Sequence, residues 1–196
     1  MNSEVIKRIQ DIKDPVEKLL HFMAVLNKEL KKKDVSVKPI VVGGSAVLVY
    51  SLGGHLTQDI DVIISDRHRQ LVKDVLSQFG FENTAGQRHW YHEELDLALE
   101  MPGDILAGSM DKAITVEVGD SEVYLIGIED ILIDRLCAAK HWKYDRDEAQ
   151  AISLLSIYMN KIDWDYLVKR AKEEMVQDKL EEAKKKAETI VQKLTD

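Results

Sequence analysis

Apolar residues recur every three or four positions at Val16, Leu19, Leu20, Met23, Leu26 and Leu30, which predicts an amphipathic helix with one buried stripe. Asp14 suits its N-cap, Pro15 its first helical position, and Lys31 to Lys33 its C-terminal end. A short helix over residues 2–12 precedes it. The run from Val37 to Val42 reads as a buried strand. After a Gly43-Gly44-Ser45 turn come an apolar helix opening at Ser45, a polar turn and a second strand ending near Ile64. Ser65 begins a helix over 66–79, which Gly80 ends. Residues 81–88 are polar and predict a loop. Trp90–His92 and Leu95–Glu100 predict a hairpin turning near Glu93 and Glu94, and Ile114–Val118 and Glu122–Ile126 predict another turning at Gly119-Asp120. Four helices follow, over 128–142, 146–160, 163–175 and 177–194. The pattern predicts an α+β fold, with a mixed sheet and packed helices over 1–127 and a helical region over 128–196.

The stretch Pro39–Ile64 concentrates the candidate chemistry. Gly43 and Gly44 carry no side chains, so a ligand can approach their backbone closely. The helix that follows directs free N–H groups and the positive end of its dipole into the same space. In the next strand, Asp59 and Asp61 share a face, with Cα atoms about 6–7 Å apart, while Ile60 and Val62 face the core. Two such carboxylates suit hard cations, and a phosphate cradle beside them suits chemistry on a nucleoside triphosphate. A third acidic ligand is expected from a neighbouring strand. Asp96 and Glu100 share the outer face of 95–100 about 13 Å apart, so one of them reaches the same cations, and alternation alone does not choose between them.

A net charge of −8 over 196 residues argues against a chain that coats nucleic acid by bulk attraction. The single cysteine, Cys137, excludes an internal disulfide and suits a reducing cytoplasm; its apolar neighbours mark it as a buried, inert thiol. No apolar run approaches the ~20 residues of a membrane span, and the N-terminus has no apolar leader. His89 and His92 fall on opposite faces of a strand, which disfavours a histidine zinc site.

The run Val42-Gly43-Gly44-Ser45-Ala46, followed by Thr57-Gln58-Asp59-Ile60-Asp61-Val62, resembles the signature of the DNA polymerase β-like nucleotidyltransferase superfamily. Its small prokaryotic members, minimal nucleotidyltransferases and abortive-infection toxins among them, are the nearest likeness, over about 37–155. The resemblance implies that Gly43, Gly44, Ser45 and Thr57 contact the triphosphate, that Asp59 and Asp61 bind Mg²⁺ or Mn²⁺, and that a later strand supplies the third carboxylate. The run from Leu99 to Ile105 resembles the end of that strand in small relatives, which favours Glu100 over Asp96. The segment Ile128–Leu136, with Lys140 and Asp145–Asp147, resembles the helical stretch that follows the core and implies a basic residue at the triphosphate, Lys140 first and Arg135 second. His55 stands where many relatives carry an arginine.

The expectation is a cytoplasmic, Mg²⁺-dependent enzyme that moves a nucleoside monophosphate from a nucleoside triphosphate to a hydroxyl of a tRNA, a protein or a small molecule. A toxin–antitoxin setting, an antitoxin partner and a homodimer through the last helix are compatible with it. The rival expectation is a catalytically inactive binding or antitoxin module on the same fold, suggested by His55 and the charged helical tail.

Overall fold

A computed structural model describes residues 3–195. The helix expected from residue 2 therefore has its first residue outside the described range. Among the described residues the chain forms eight α-helices and seven strands and divides into two compact units. The first comprises residues 1–106 and 113–126, and the second 107–112 and 127–196.

In the first unit, α1 (Ser3–Asp11) leads to α2 (Pro15–Lys33). The Asp14 side chain accepts a hydrogen bond from the Glu17 amide, as an N-cap should, and Leu19, Phe22, Met23, Leu26 and Leu30 line the buried face. β1 is only Ile40–Val41, shorter than the expected Val37–Val42. Pro39, which has no N–H to give a ladder, stands just before it. α3 (Gly43–Tyr50) follows at once, opening two residues earlier than its apolar run indicates. Then come β2 (Asp59–Ile63) and α4 (Asp66–Gln78). Ser65 precedes α4, but its hydroxyl pairs with His68 Nδ1 instead of capping the helix.

The segment expected as a loop contains a strand, β3 (Glu82–Ala85), followed by a 3₁₀ turn at Gly86–Arg88. β3 is polar and lies at the sheet edge, so hydrophobic alternation does not reveal it. β4 (His89–His92) and β5 (Leu97–Glu100) form the first hairpin, and β6 (Ile114–Val118) and β7 (Ser121–Leu125) the second. The sheet order is β3-β4-β5-β2-β1-β7-β6. Two pairings are parallel, β2 with β5 and β1 with β7, and the rest antiparallel. The result is a mixed α+β sheet whose core includes Val41, Val62, Leu99 and Leu125, with Val72, Val75 and Leu76 of α4 also buried.

The second unit consists of α5 (Ile128–Trp142), α6 (Asp145–Tyr158), α7 (Trp164–Glu173) and α8 (Gln177–Thr195), with residues 107–112 folded against them. Ile131, Leu132, Leu136, Leu154, Leu155, Leu167, Ala183 and Ala187 fill its core. Asp130, fully buried, accepts hydrogen bonds from the Ser109 amide (2.9 Å) and the Tyr166 hydroxyl (2.8 Å), with Arg170 at 3.5 Å. Burial, reinforced by Asp130, pushes the Tyr166 phenol up to about 12. Cys137 is half-buried, and burial raises its thiol pKa as well. No helix among the described residues is long and apolar enough to cross a membrane.

Candidate active site

The candidate site is built on β2, the strand between β1 and β5. Along β2 the buried Ile60 and Val62 alternate with partly exposed Asp59 and Asp61, so both carboxylates stand on the open face. Parallel pairing sets Asp59 beside Ala98 and Asp61 beside Glu100. One carboxylate oxygen from each of Asp59, Asp61 and Glu100 can be chosen so that all lie within 4.8 Å of one another. Three half-exposed carboxylates offer an all-oxygen donor set, which fits Mg²⁺ or Mn²⁺ and not a soft metal. The other acidic candidate, Asp96, lies outside this group. It occupies the β4–β5 turn with φ +46°, accepting a hydrogen bond from the Tyr91 hydroxyl at 2.8 Å.

The glycine bend abuts this group. Gly43 has φ +56°, and a Cβ built there would lie 2.5 Å from Asp61 Oδ2. Gly44 faces Thr57, whose Oγ1 would lie 3.1 Å from an added Cβ. The Thr57 hydroxyl donates to Asp59 Oδ1 at 3.1 Å. Gly43, Gly44 and Thr57 therefore surround the carboxylates, and the first N–H groups of α3 belong to the same bend.

Ser45, expected at the phosphate, also has a place in the packing of the bend. It is fully buried, and its hydroxyl is spent within the protein: it donates to the Asp59 carbonyl at 3.0 Å and accepts from the Asp61 amide at 2.7 Å. The Asp61 carbonyl in turn accepts from the Val42 amide at 3.0 Å. Ser45 thus clamps the backbone that carries both aspartates.

Arg135 and Lys140 belong to the second unit, where each is engaged by carboxylates of that unit. Arg135 pairs with Asp134 and, at 2.7 Å, with Asp147. Lys140 donates to Asp178 and to the Met175 carbonyl, both at 2.6 Å. His55 is partly exposed, and its amide donates to the Ser51 hydroxyl at 3.1 Å.

His89, whose strand position disfavours a zinc site with His92, has another neighbour. It is the cross-strand neighbour of Glu100, with Nε2 3.6 Å from the carboxylate. The observed turn spans four residues, 93–96, and sets His92 opposite Leu97; a two-residue turn at Glu93-Glu94 would set His89 opposite Ala98 instead, so the sequence alone does not reveal this neighbour.

The mixed sheet gathers three carboxylates beside a glycine bend at a helix start, and the chain is a member of the nucleotidyltransferase superfamily. More narrowly, residues 17–194 match the DUF6036 family, described as a nucleotidyltransferase of unknown function, and the chain belongs to that family. Among solved structures, it is similar to an antigenic nucleotidyltransferase-like protein from Paracoccidioides brasiliensis, at 16% identity and a TM-score of 0.59, over 88% of this chain and 93% of that one. It is also similar to the antibiotic-resistance factor ANT(2'')-Ia, at 15% identity and a TM-score of 0.52, over 82% and 94%. At these identities the likenesses speak for the fold. No curated protein matches the chain.

Proposed function

We propose that the protein moves a nucleoside monophosphate from a nucleoside triphosphate to a hydroxyl group of an acceptor, with Mg²⁺ or Mn²⁺. The observation that carries this reading is the convergence of Asp59, Asp61 and Glu100 within 4.8 Å beside Gly43. The cation would neutralise the phosphates and stabilise the charge that develops on the leaving group. In this reading the three carboxylates are its ligands. Gly43, Gly44 and Thr57 hold the triphosphate and orient the α-phosphorus. Glu100 also takes the proton of the attacking hydroxyl. The new bond joins the acceptor oxygen to the α-phosphorus, and pyrophosphate leaves with the electrons of the broken bond.

Of the two basic candidates, Lys140, tied to the exposed Asp178, is the one assigned to the triphosphate. Arg135, whose guanidinium is largely buried between two carboxylates, is assigned to holding α5 and α6 together. A reducing, cytoplasmic setting goes with the single cysteine. A silent antitoxin module on this fold would have no need for three carboxylates to converge, so the enzymatic reading is preferred.

The test is incubation with labelled nucleoside triphosphates and cell extract, wild type beside Asp61→Asn. Wild type should transfer label with Mg²⁺ or Mn²⁺, and the variant should lose at least about 10²-fold, the order expected when the positioning of reacting groups is lost. Equal transfer by both proteins, or none by either with any nucleotide and metal, refutes the reading.

A further inference from the structure

We propose that β6, one edge of the sheet, pairs antiparallel with β6 of a second copy of this chain, so that the protein is a reversible dimer with one sheet running through both copies.

An edge strand presents a row of unpaired N–H and C=O groups, and proteins blunt such edges with bulges, prolines and lysines. The two edges of this sheet differ in that respect. At one, β3 is polar over Glu82-Asn83-Thr84, and its ladder with β4 shifts register between Asn83 and Ala85. At the other, β6 reads Ile114-Thr115-Val116-Glu117-Val118, with no proline and no lysine, and every residue stays in register with β7. Ile114, Thr115 and Glu117 are exposed, so this edge is open to solvent.

The turn decides which backbone groups point outward. Gly119, at φ +61°, and Asp120 form a two-residue loop, so the flanking Val118 and Ser121 are a hydrogen-bonded pair. Pairs alternate from there, which directs the N–H and C=O of Thr115 and Glu117 away from β7. Glu122, opposite Glu117, obeys the same alternation: its carbonyl turns from β6 and accepts from Asn27 Nδ2 at 2.7 Å.

These directions fix the register with a second copy. A two-fold axis through Val116 pairs the whole strand: Val116 with Val116, Thr115 with Glu117 and Ile114 with Val118. The outward groups of Thr115 and Glu117 then meet as hydrogen-bonded pairs, as an antiparallel ladder requires. Ile114, Val116 and Val118 of both copies form one row of β-branched side chains, and each Glu117 stands opposite a threonine. An axis through Glu117 would instead set two carboxylates directly opposite each other, which is destabilising. This self-complementarity is what favours a second copy over an unrelated strand. Five residues a side fall well short of the roughly 20–30 of a standard interface, so the dimer exchanges with monomer in the micromolar range.

Sedimentation velocity of the full chain from about 1 to about 300 μM should show a mass rising from 22.3 kDa toward twice that value. Thr115→Pro removes an outward N–H and no bond to β7, a change that edge strands tolerate. Each copy loses one bond to the other, so association should weaken about tenfold while the thermal melt is kept. Cysteine pairs test the register without proline. Val116→Cys sets its two copies in a non-hydrogen-bonded pair, with Cα atoms about 4.5 Å apart, within reach of a disulfide. Ile114→Cys leaves its Cα atoms about 14 Å apart, out of reach. Under mild oxidation the first variant should become a covalent dimer, and the second should stay at the background that Cys137 sets in wild type. A chain that is monomeric at every concentration, whose edge is then left to another partner or to solvent, overturns the proposal. So does an association that Thr115→Pro leaves intact, or cross-linking of Ile114→Cys as ready as that of Val116→Cys.

Discussion

Gly43→Ala is the sharpest single perturbation of the site, because two costs arise at one atom. The backbone there has φ +56°, a conformation that costs an L-residue with a Cβ about 1–2 kcal/mol. The added Cβ would also lie 2.5 Å from Asp61 Oδ2, whereas ordinary contact begins at 3.4 Å. The carboxylate must therefore retreat by the difference, 3.4 − 2.5 = 0.9 Å. A misplacement of about 1 Å in a reacting constellation costs on the order of 10²-fold in rate. The variant should thus lose about 1–2 kcal/mol in urea denaturation, yet lose about 10²-fold in nucleotidyl transfer and most of its Mg²⁺-dependent stabilisation by nucleotide.

Gly44→Ala is the internal control. Its backbone is not in the left-handed region, and its Cβ would meet only the Thr57 hydroxyl and Cβ, at 3.1 and 3.4 Å, which a few tenths of an ångström relieve. Folding should be nearly unchanged, and any loss of nucleotide affinity should be several-fold smaller than for Gly43→Ala. If Gly43→Ala folds and still transfers label and binds Mg²⁺–nucleotide as wild type does, the contact between the bend and Asp61 does not matter to function, and the site has been misassigned.

Other consequences follow from the same geometry. Ser45→Ala should cost about 1–3 kcal/mol, because the Asp61 amide loses the acceptor that the buried Ser45 hydroxyl provides, and calorimetric melts would read it. Asp130→Ala should cost about 3 kcal/mol by stranding the Ser109 amide and the Tyr166 hydroxyl, and it should bring Tyr166 down from about 12 toward its ordinary value of 10.0, as tyrosine ¹³Cζ titration would show. Burial, the larger cause of that shift, should keep Tyr166 from returning fully. The hydrogen bond from Lys112 holds Asp163 below the usual 3.8, so the pair's contribution is present above that pH and is lost as pH falls through the lowered folded value. The gap between melts of wild type and Lys112→Met should accordingly be widest at neutral pH and narrow as pH falls below about 3.8; a gap that does not narrow in acid would refute the linkage.

Which of these features could be read from the sequence follows from the range of the forces involved. Helical stripes, the Asp14 cap and the face shared by Asp59 and Asp61 depend on residues a few positions apart, and local periodicity shows them. β3 depends on its edge position beside β4, and Glu82-Asn83-Thr84 carries no apolar face to betray it. The docking of 107–112 on α5 and α7 draws on the buried carboxylate of Asp130, whose partners are 21 and 36 residues away in sequence, and on the pair of Lys112 with Asp163. Arg135 shows the same limit, since a basic residue on a helix looks alike whether it awaits a phosphate or pairs with Asp147 one helix later.

Ser45 carries a structural duty of its own within the motif. A strand has a two-residue period, so sliding β2 by one position would turn Asp59 and Asp61 into the core and Ile60 and Val62 out of it. β1 pairs with β2 through only two residues, too few to hold that register firmly. The Ser45 hydroxyl bridges the Asp59 carbonyl and the Asp61 amide, and the Val42 amide binds the Asp61 carbonyl, so the turn adds three bonds that hold only in the observed register. Glu100 then reaches the carboxylates only because β5 pairs with β2 in parallel at Asp61. The small residues of the Gly-Gly-Ser bend thus divide their work: the glycines give room at the carboxylates, and the serine keeps the strand from sliding away from them.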